Sequence, residues 1–251
     1  FFGNSGAEEN ECAIKLARKY GTERYGENHN KIITLKNSFH GRTVTTLSAT
    51  GQDVFHKSFT PFTEGFSYAD AEIQSVKEFT STDTCAIIIE LIQGEGGVLP
   101  MNPQFVKELS EFCKENDILL IVDEVQTGVG RTGKLYCFQN YGIIPDIITS
   151  AKGLGGGLPI GACLCSKELE NVMGISSHGS TFGGNPVVCA GALAVLERVS
   201  QDSFLKEVLE KGKYFTDKLK TIKEIEYVRC MGLMLGAKLK KDNAKEIAEK
   251  C

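Results

Sequence analysis

The stretch Ile118-Leu119-Leu120-Ile121-Val122-Asp123-Glu124-Val125 decides how the chain is read. Five aliphatic residues in succession, with no polar alternation, predict a strand buried on both faces, as the strands of parallel sheets are. The strand closes on two adjacent acids. A carboxylate at the end of a buried strand needs something positive to meet it, a metal ion or a protonated ring nitrogen, because desolvating a charge is costly. Capping a helix accounts for one acid, but two in succession need two explanations.

Working outward, the same pattern returns. CAIIIELI at 85–92 is a second buried strand, and KIITL at 31–35 is β-branched and reads as a third. DIIT at 146–149 and IGACLC at 160–165 add two more. Helices are predicted between and after them. In FFGNSGAEENECAIKLARKY a Gly-containing turn runs into a helix in which Cys12, Leu16 and Tyr20 share a face, as do Ala13 and Ala17. Gln104–Glu115 sets Phe105, Leu109, Phe112 and Cys113 on one side, and long helices follow over Val187–Val199 and Phe204–Lys220. Strands alternating with helices predict an α/β fold, a mostly parallel sheet sandwiched by helices, with ligands at the carboxyl ends of the strands. Residues 1–200 are expected to form a large ligand-binding domain. Residues 201–251 are expected to be a linking helix and the beginning of a small C-terminal α+β domain. The chain opens on Phe1 rather than Met, and truncation at both ends is expected.

Composition narrows the partners. With 251 residues, 41% hydrophobic and 24% charged, the chain has the make-up of a soluble globular protein. A net charge of -4 gives no electrostatic case for nucleic acid or an anionic membrane, and no apolar run is long enough to span a bilayer. The nine cysteines include no CxxC pair and no paired histidine motif, so no metal site is expected. They read as small buried hydrophobes in a reducing compartment, the cytoplasm, or an organelle matrix if a transit peptide precedes the chain.

Four segments carry candidate chemistry. Asn4-Ser5-Gly6-Ala7-Glu8 feeds a helix N-terminus, whose free N–H groups suit a phosphate; equally, Ser5 and Glu8 make an ordinary capping box. Asp123 and Glu124 are the second. In the third, Ser150-Ala151-Lys152 followed by glycines, Lys152 is either a surface residue or an amine brought into a cleft, where desolvation makes it nucleophilic. The fourth, His178 to Pro186 (HGSTFGGNP), offers hydroxyls and close-approach glycines before a helix, and alone is only a loop. One further match is rejected. GVGRTGK at 128–134 fits the first seven positions of a phosphate-binding P-loop, but Leu135 stands where a magnesium-binding hydroxyl is required, and acids precede it.

Taken together the segments resemble one family, the class III (ornithine-type) aminotransferases of fold type I. The likeness runs along the whole chain, through FFGNSGAEENE, SFHGRT, IIIELIQGEGG, IVDEVQTGVGRTG, PDIITSAKGLGGGLPIGA, HGSTFGGNP and VRCMGLMLGAKL. Within the family, SFHGRTVTTLSATGQ, AKGLGGGLPIGA and HGSTFGGNP look most like the members that act on N-acetylornithine.

The resemblance implies pyridoxal 5'-phosphate as cofactor. Lys152 would bind it covalently and shuttle a proton to and from the substrate carbon. Asp123 would pair with the pyridine nitrogen. Val125 and Phe39 would flank the ring, Gln126 would approach its hydroxyl, and Gly6 and Ala7 would offer N–H groups to the phosphate. Thr181 would reach the phosphate of the neighbouring subunit's cofactor, which implies a homodimer with shared active sites. Arg42 would pair with a substrate carboxylate and Ser180 would touch substrate. Glu95 resembles an acid that neutralises a second, glutamate-binding arginine, which in the family lies in the C-terminal part. The implied reaction joins N-acetylornithine and 2-oxoglutarate in arginine biosynthesis. Alternatives are a succinylornithine, ornithine or 4-aminobutyrate aminotransferase, or a non-catalytic protein that keeps the cofactor as a ligand. The isolated 251-residue piece is expected to turn over little. Two departures stand out: Leu91 replaces the family's proline after Glu90, with a changed turn expected at Gln93 and Glu95, and Cys230 replaces a glycine.

Overall fold

The computed structural model describes residues 1–250. Its strands are β1 (Phe2–Gly3), β2 (Lys31–Leu35), β3 (Phe66–Ala69), β4 (Thr84–Ile89), β5 (Ile92–Gln93), β6 (Leu99–Pro100), β7 (Leu119–Asp123), β8 (Ile147–Ser150), β9 (Gly161–Cys165), β10 (Ile225–Met231) and β11 (Met234–Leu239). Its α-helices are α1 (Gly6–Tyr25), α2 (Val44–Ala49), α3 (Ile73–Phe79), α4 (Pro103–Glu115), α5 (Phe138–Tyr141), α6 (Pro186–Val199), α7 (Asp202–Leu219) and α8 (Ala244–Ala248).

Seven strands form one sheet in the order β1-β9-β8-β7-β4-β2-β3. The pairs β2/β3, β2/β4, β4/β7 and β7/β8 are parallel, whereas β8/β9 and β9/β1 are antiparallel. Every residue of β4 and β7 is buried, as their unbroken apolar runs require. Successive side chains leave opposite faces, which splits the core in two. Ile33, Leu35, Ile87, Ile89, Leu120 and Val122 meet α4, with Phe105, Val106 and Leu109. Ile32, Ile88, Leu119 and Ile121 meet α1, with Cys12, Ala13, Leu16 and Ala17. Helices thus cover both faces, and the predicted shared face of α1 is the one that packs.

The chain leaves β2 for β3 on one side and returns to β4 on the other. The crevice between β2 and β4 is therefore a switch point, where open α/β sheets bind ligands.

Several expectations are corrected. CAIIIELI does not run on as one strand: β4 stops at Ile89, Glu90 turns away, and Ile92–Gln93 pairs with β6 instead. The elements α2, β3 and α3 had no counterpart in the sequence reading. Cys12, Cys85, Cys113, Cys137 and Cys163 are buried as expected, but Cys165 and Cys230 are exposed and Cys189 is half-buried. The P-loop-like segment is a run of turns, with Gly130 N–H on Leu135 O and Gly133 N–H on Gly130 O, and α7 lays Leu209 against Gly133.

Glu9, wholly buried in α1, fills the space over two neighbouring glycines. A Cβ on either Gly3 or Gly161 would overlap its carboxyl end. Neither of its oxygens has a hydrogen-bond partner among the described residues.

Ile88 is fully buried at the middle of the sheet, and Ile144 is 86% exposed. Ile88→Ala is expected to lower unfolding free energy by about 2–5 kcal/mol, and Ile144→Ala by less than about 0.5 kcal/mol. Urea titrations of the two variants check this; equal shifts would contradict a central position for β4.

Candidate active site

Four parallel strands end on one cavity. The loop after β2 brings Phe39, His40, Gly41 and Arg42; β4 is followed by Glu90; Asp123 closes β7; Lys152 follows β8. Gly6, Ala7 and Asn10 of α1, together with Glu95, Val125 and Gln126, complete a cavity of about 270 Å³.

Asp123 is buried, at 4% exposure. Its Oδ2 accepts from Asn10 Nδ2 at 2.7 Å and lies 2.9 Å from His40 Nδ1. Its Oδ1 accepts from the Val125 N–H at 3.0 Å. A carboxylate only accepts, so His40 donates from Nδ1, and its other ring nitrogen is Nε2. That nitrogen is buried and has no partner among the described residues. Asn10 is itself fixed, donating to His40 O at 2.7 Å and accepting from Thr149 Oγ1 at 2.8 Å.

The adjacent acid has a different task. Glu124 Oε1 accepts from the Phe138 N–H at 2.8 Å, at the start of α5, and Oε2 from Thr127 Oγ1 at 2.5 Å. Burial pushes its carboxyl above the usual range. The pair needed two explanations and has them: Asp123 faces the cavity and Glu124 holds the chain behind it.

Glu90, Asn10 and His40 line the cavity too, although the sequence did not single them out as site residues. The signal for Glu90 was present, since it follows a buried strand just as Asp123 does. Its Oε1 accepts from the Phe39 N–H at 2.7 Å and Oε2 from the Gly94 N–H at 3.4 Å, which ties two site loops together. Burial raises this carboxyl to about 7, against the pull of His40 and with the push of Asp123.

Lys152 lines the cavity but is exposed rather than deep in a cleft. Its φ of 44° lies in the left-handed region that a side chain makes costly, and such strain gathers at functional positions. Gly6 sits so close to Val125 that a Cβ there would overlap the valine methyls, and Gly94 leaves no room for a Cβ beside the Gln126 amide. Gln93 points away, donating to Lys36 O at 2.8 Å, while Glu95 lines the cavity. Leu91 is fully buried, and its carbonyl accepts from Met101 N–H and Tyr141 Oη, both at 3.0 Å. Ser180 and Thr181 lie outside the cavity of their own chain. The Ser180 hydroxyl accepts from Asn4 Nδ2 and from the Gly183 N–H, each at 3.1 Å. At α1, Ser5 is the N-cap and accepts from the Glu8 N–H. The first-turn N–H groups of Gly6 and Ala7 have no intrahelical acceptors and lie at the cavity. Cap and anion site are thus compatible readings of one turn.

The chain belongs to the class-III aminotransferases: the family model matches residues 1–251. Acetylornithine aminotransferase of Caldanaerobacter subterraneus subsp. tengcongensis is 51% identical over all of this chain, which covers 65% of that protein. Succinylornithine transaminase of Photorhabdus laumondii is 48% identical over 96% of this chain and 61% of its own length. Among solved structures, ornithine aminotransferase from Toxoplasma gondii ME49 superposes with a TM-score of 0.91 at 34% identity, over 96% of this chain and 60% of that one. The architecture is that of fold type I, and the chain spans a little under two thirds of the length of these relatives.

The family's cofactor is pyridoxal 5'-phosphate, and the residues present fit it. The buried Asp123 carboxylate, the helix N-terminus, the lysine amine and the glycine-lined walls offer a partner for each of its polar groups.

The raised Glu90 has a consequence for stability. An unfolded glutamate titrates near about 4.3. Between there and about 7 the folded chain keeps a proton that the unfolded chain has released, so stability falls as pH rises through this window, by roughly 1.4 kcal/mol per pH unit for each such group. Glu9, raised to about 7 by burial, acts in the same direction. Urea unfolding of cofactor-free protein across the window should show this slope, smaller in Glu90→Gln and smaller again in the double variant with Glu9→Gln, where the buried Glu124, also raised, keeps a residual slope. An unchanged slope in Glu90→Gln would mean that Glu90 titrates normally.

Proposed function

We propose that the whole protein is a pyridoxal-phosphate-dependent transaminase that moves the terminal amine of N-acetylornithine to 2-oxoglutarate, giving N-acetylglutamate semialdehyde and glutamate in arginine biosynthesis. The observation that carries this reading is the joint lining of one cavity by Lys152 and the buried, hydrogen-bonded Asp123. When bound, the cofactor supplies an electron sink for the charge that develops at the substrate carbon. The chain's own residues do the rest. Asp123, held by Asn10 and His40, presents fixed negative charge to a protonated ring nitrogen. Phe39 and Val125 would flank the ring, and Gln126 would approach its hydroxyl. Gly6 and Ala7 direct N–H groups to the phosphate. Lys152 anchors the cofactor and moves a proton at the substrate carbon with Nζ. Arg42 receives the substrate carboxylate in a forked pair, and Glu95 stands at the cavity wall to neutralise a second arginine.

Ser180 and Thr181 lie outside their own chain's cavity, which supports their service to a partner's site in a homodimer. We read residues 1–200 as the large domain and 201–251 as the linking helix and the start of the small one, in line with the separate two-stranded sheet of β10 and β11. Among the described residues no helix is long and apolar enough to cross a membrane, and we place the enzyme in the cytoplasm.

Succinylornithine as donor is the second reading, favoured by the 48% identity to a succinylornithine transaminase. Rates of the full-length protein with N-acetylornithine, N-succinylornithine, ornithine and 4-aminobutyrate are expected to rank the first highest. Lys152→Ala should lower turnover by on the order of a thousandfold with its melting temperature kept. Borohydride treatment of the loaded protein should leave the cofactor's mass on the peptide containing Lys152. Label on another peptide, or retained turnover in the variant, would overturn the assignment.

A further inference from the structure

We propose that Phe55 is a specificity-determining residue, which positions Arg42 for carboxylate-bearing amino donors. The proposal rests on the reading of Arg42 as the carboxylate anchor and adds the group that aims it. The Arg42 guanidinium carbon lies 5.2 Å from the centre of the Phe55 ring and 5.9 Å from that of Phe39. The two rings pack edge to face, 5.3 Å apart at 68°. Among the described residues the arginines whose guanidinium groups donate hydrogen bonds are Arg18, Arg24 and Arg229. Arg42 keeps its donors free, and the aromatic pair is what restrains it.

That arrangement suits an anchor. A cation over a ring face is held by the ring's quadrupole, while the N–H groups at the guanidinium edge stay available for a planar carboxylate. A hydrogen-bonded restraint would consume those same donors. Phe55 comes from the short 3-10 turn Asp53–Phe55 and contributes nothing to the catalytic cavity. It stands behind Arg42, in the wall of a second, largely apolar cavity of about 280 Å³ that Arg42 also lines. Phe39 touches both the catalytic cavity and Arg42. The ring pair therefore sets the spacing between the carboxylate anchor and the amine of Lys152. Donors are selected by the separation of carboxylate from reacting amine.

The test uses the full-length, cofactor-loaded protein with saturating 2-oxoglutarate. Phe55→Leu keeps apolar bulk and removes the ring face, and Phe55→Tyr keeps the face. The two donors are N-acetylornithine and N-acetyl-1,4-diaminobutane, the same molecule without its carboxylate. Phe55→Leu is expected to raise KM for N-acetylornithine about fivefold, as befits a half-exposed cation–π contact. Its kcat should stay within about twofold, kcat/KM for the carboxylate-free donor should not change, and Phe55→Tyr should restore KM. An unchanged KM in Phe55→Leu, or an equal loss with both donors, overturns the proposal. Failure of the wild-type protein to prefer the carboxylated donor would instead remove Arg42 as anchor, a result read before any variant is made.

Discussion

A carboxylate held at the end of a strand buried on both faces is the constraint around which this structure is arranged. Asp123 has almost no contact with solvent, and its two oxygens accept from a helix side chain, a loop imidazole and its own following backbone. Each donor comes from a different part of the chain. Asn10 fixes the rotation of α1 against the sheet, and with it the direction of the Gly6–Ala7 end. His40 fixes the loop after β2, which carries Phe39 and Arg42. Satisfying one buried charge therefore orients most of the cavity wall, and leaving it unsatisfied would cost several kcal/mol.

The other two acids nearby show how environment separates like groups. Glu124 is adjacent in sequence, yet strand alternation turns it to the opposite side, where a backbone N–H and a hydroxyl occupy it. Glu90 faces the cavity but braces two loops, and burial, with Asp123 close by, raises its carboxyl to about 7. The site can thus hold two carboxyl groups without two full charges in competition.

Much of this was legible in the sequence because it depends on local pattern. The unbroken apolar runs of β4 and β7 announced strands buried on both sides, and the 3.6-residue spacing of Cys12, Leu16 and Ala13 announced the packed face of α1. Lys152, Asp123 and the turn of Gly6 and Ala7 stood out in the residues themselves, whereas Phe39, Arg42, Glu95, Val125 and Gln126 were implied by the family resemblance, and all of them line one cavity. What escaped was set by tertiary context. Val44–Ala49 is a helix of Thr and Ser as much as of apolar residues, and Phe66–Ala69 is too short to show a period. The break after Ile89 falls at Glu90, which the apolar Leu91 and Ile92 beyond it masked, and the turn is made by Glu90 reaching for Phe39 and Gly94. Exposure of Cys165 follows from its place at the last residue of β9, where the sheet runs out of cover. Asn10 and His40 matter only through a partner more than eighty residues away.

Glu9 ties its own position to two others. With its side chain lodged over Gly3 and Gly161, either glycine can acquire a side chain only after position 9 has become smaller. Shrinking position 9 meets no such overlap, but it leaves a space where a wholly buried side chain stood. Substitution across this corner of the sheet therefore has an order, position 9 before either glycine.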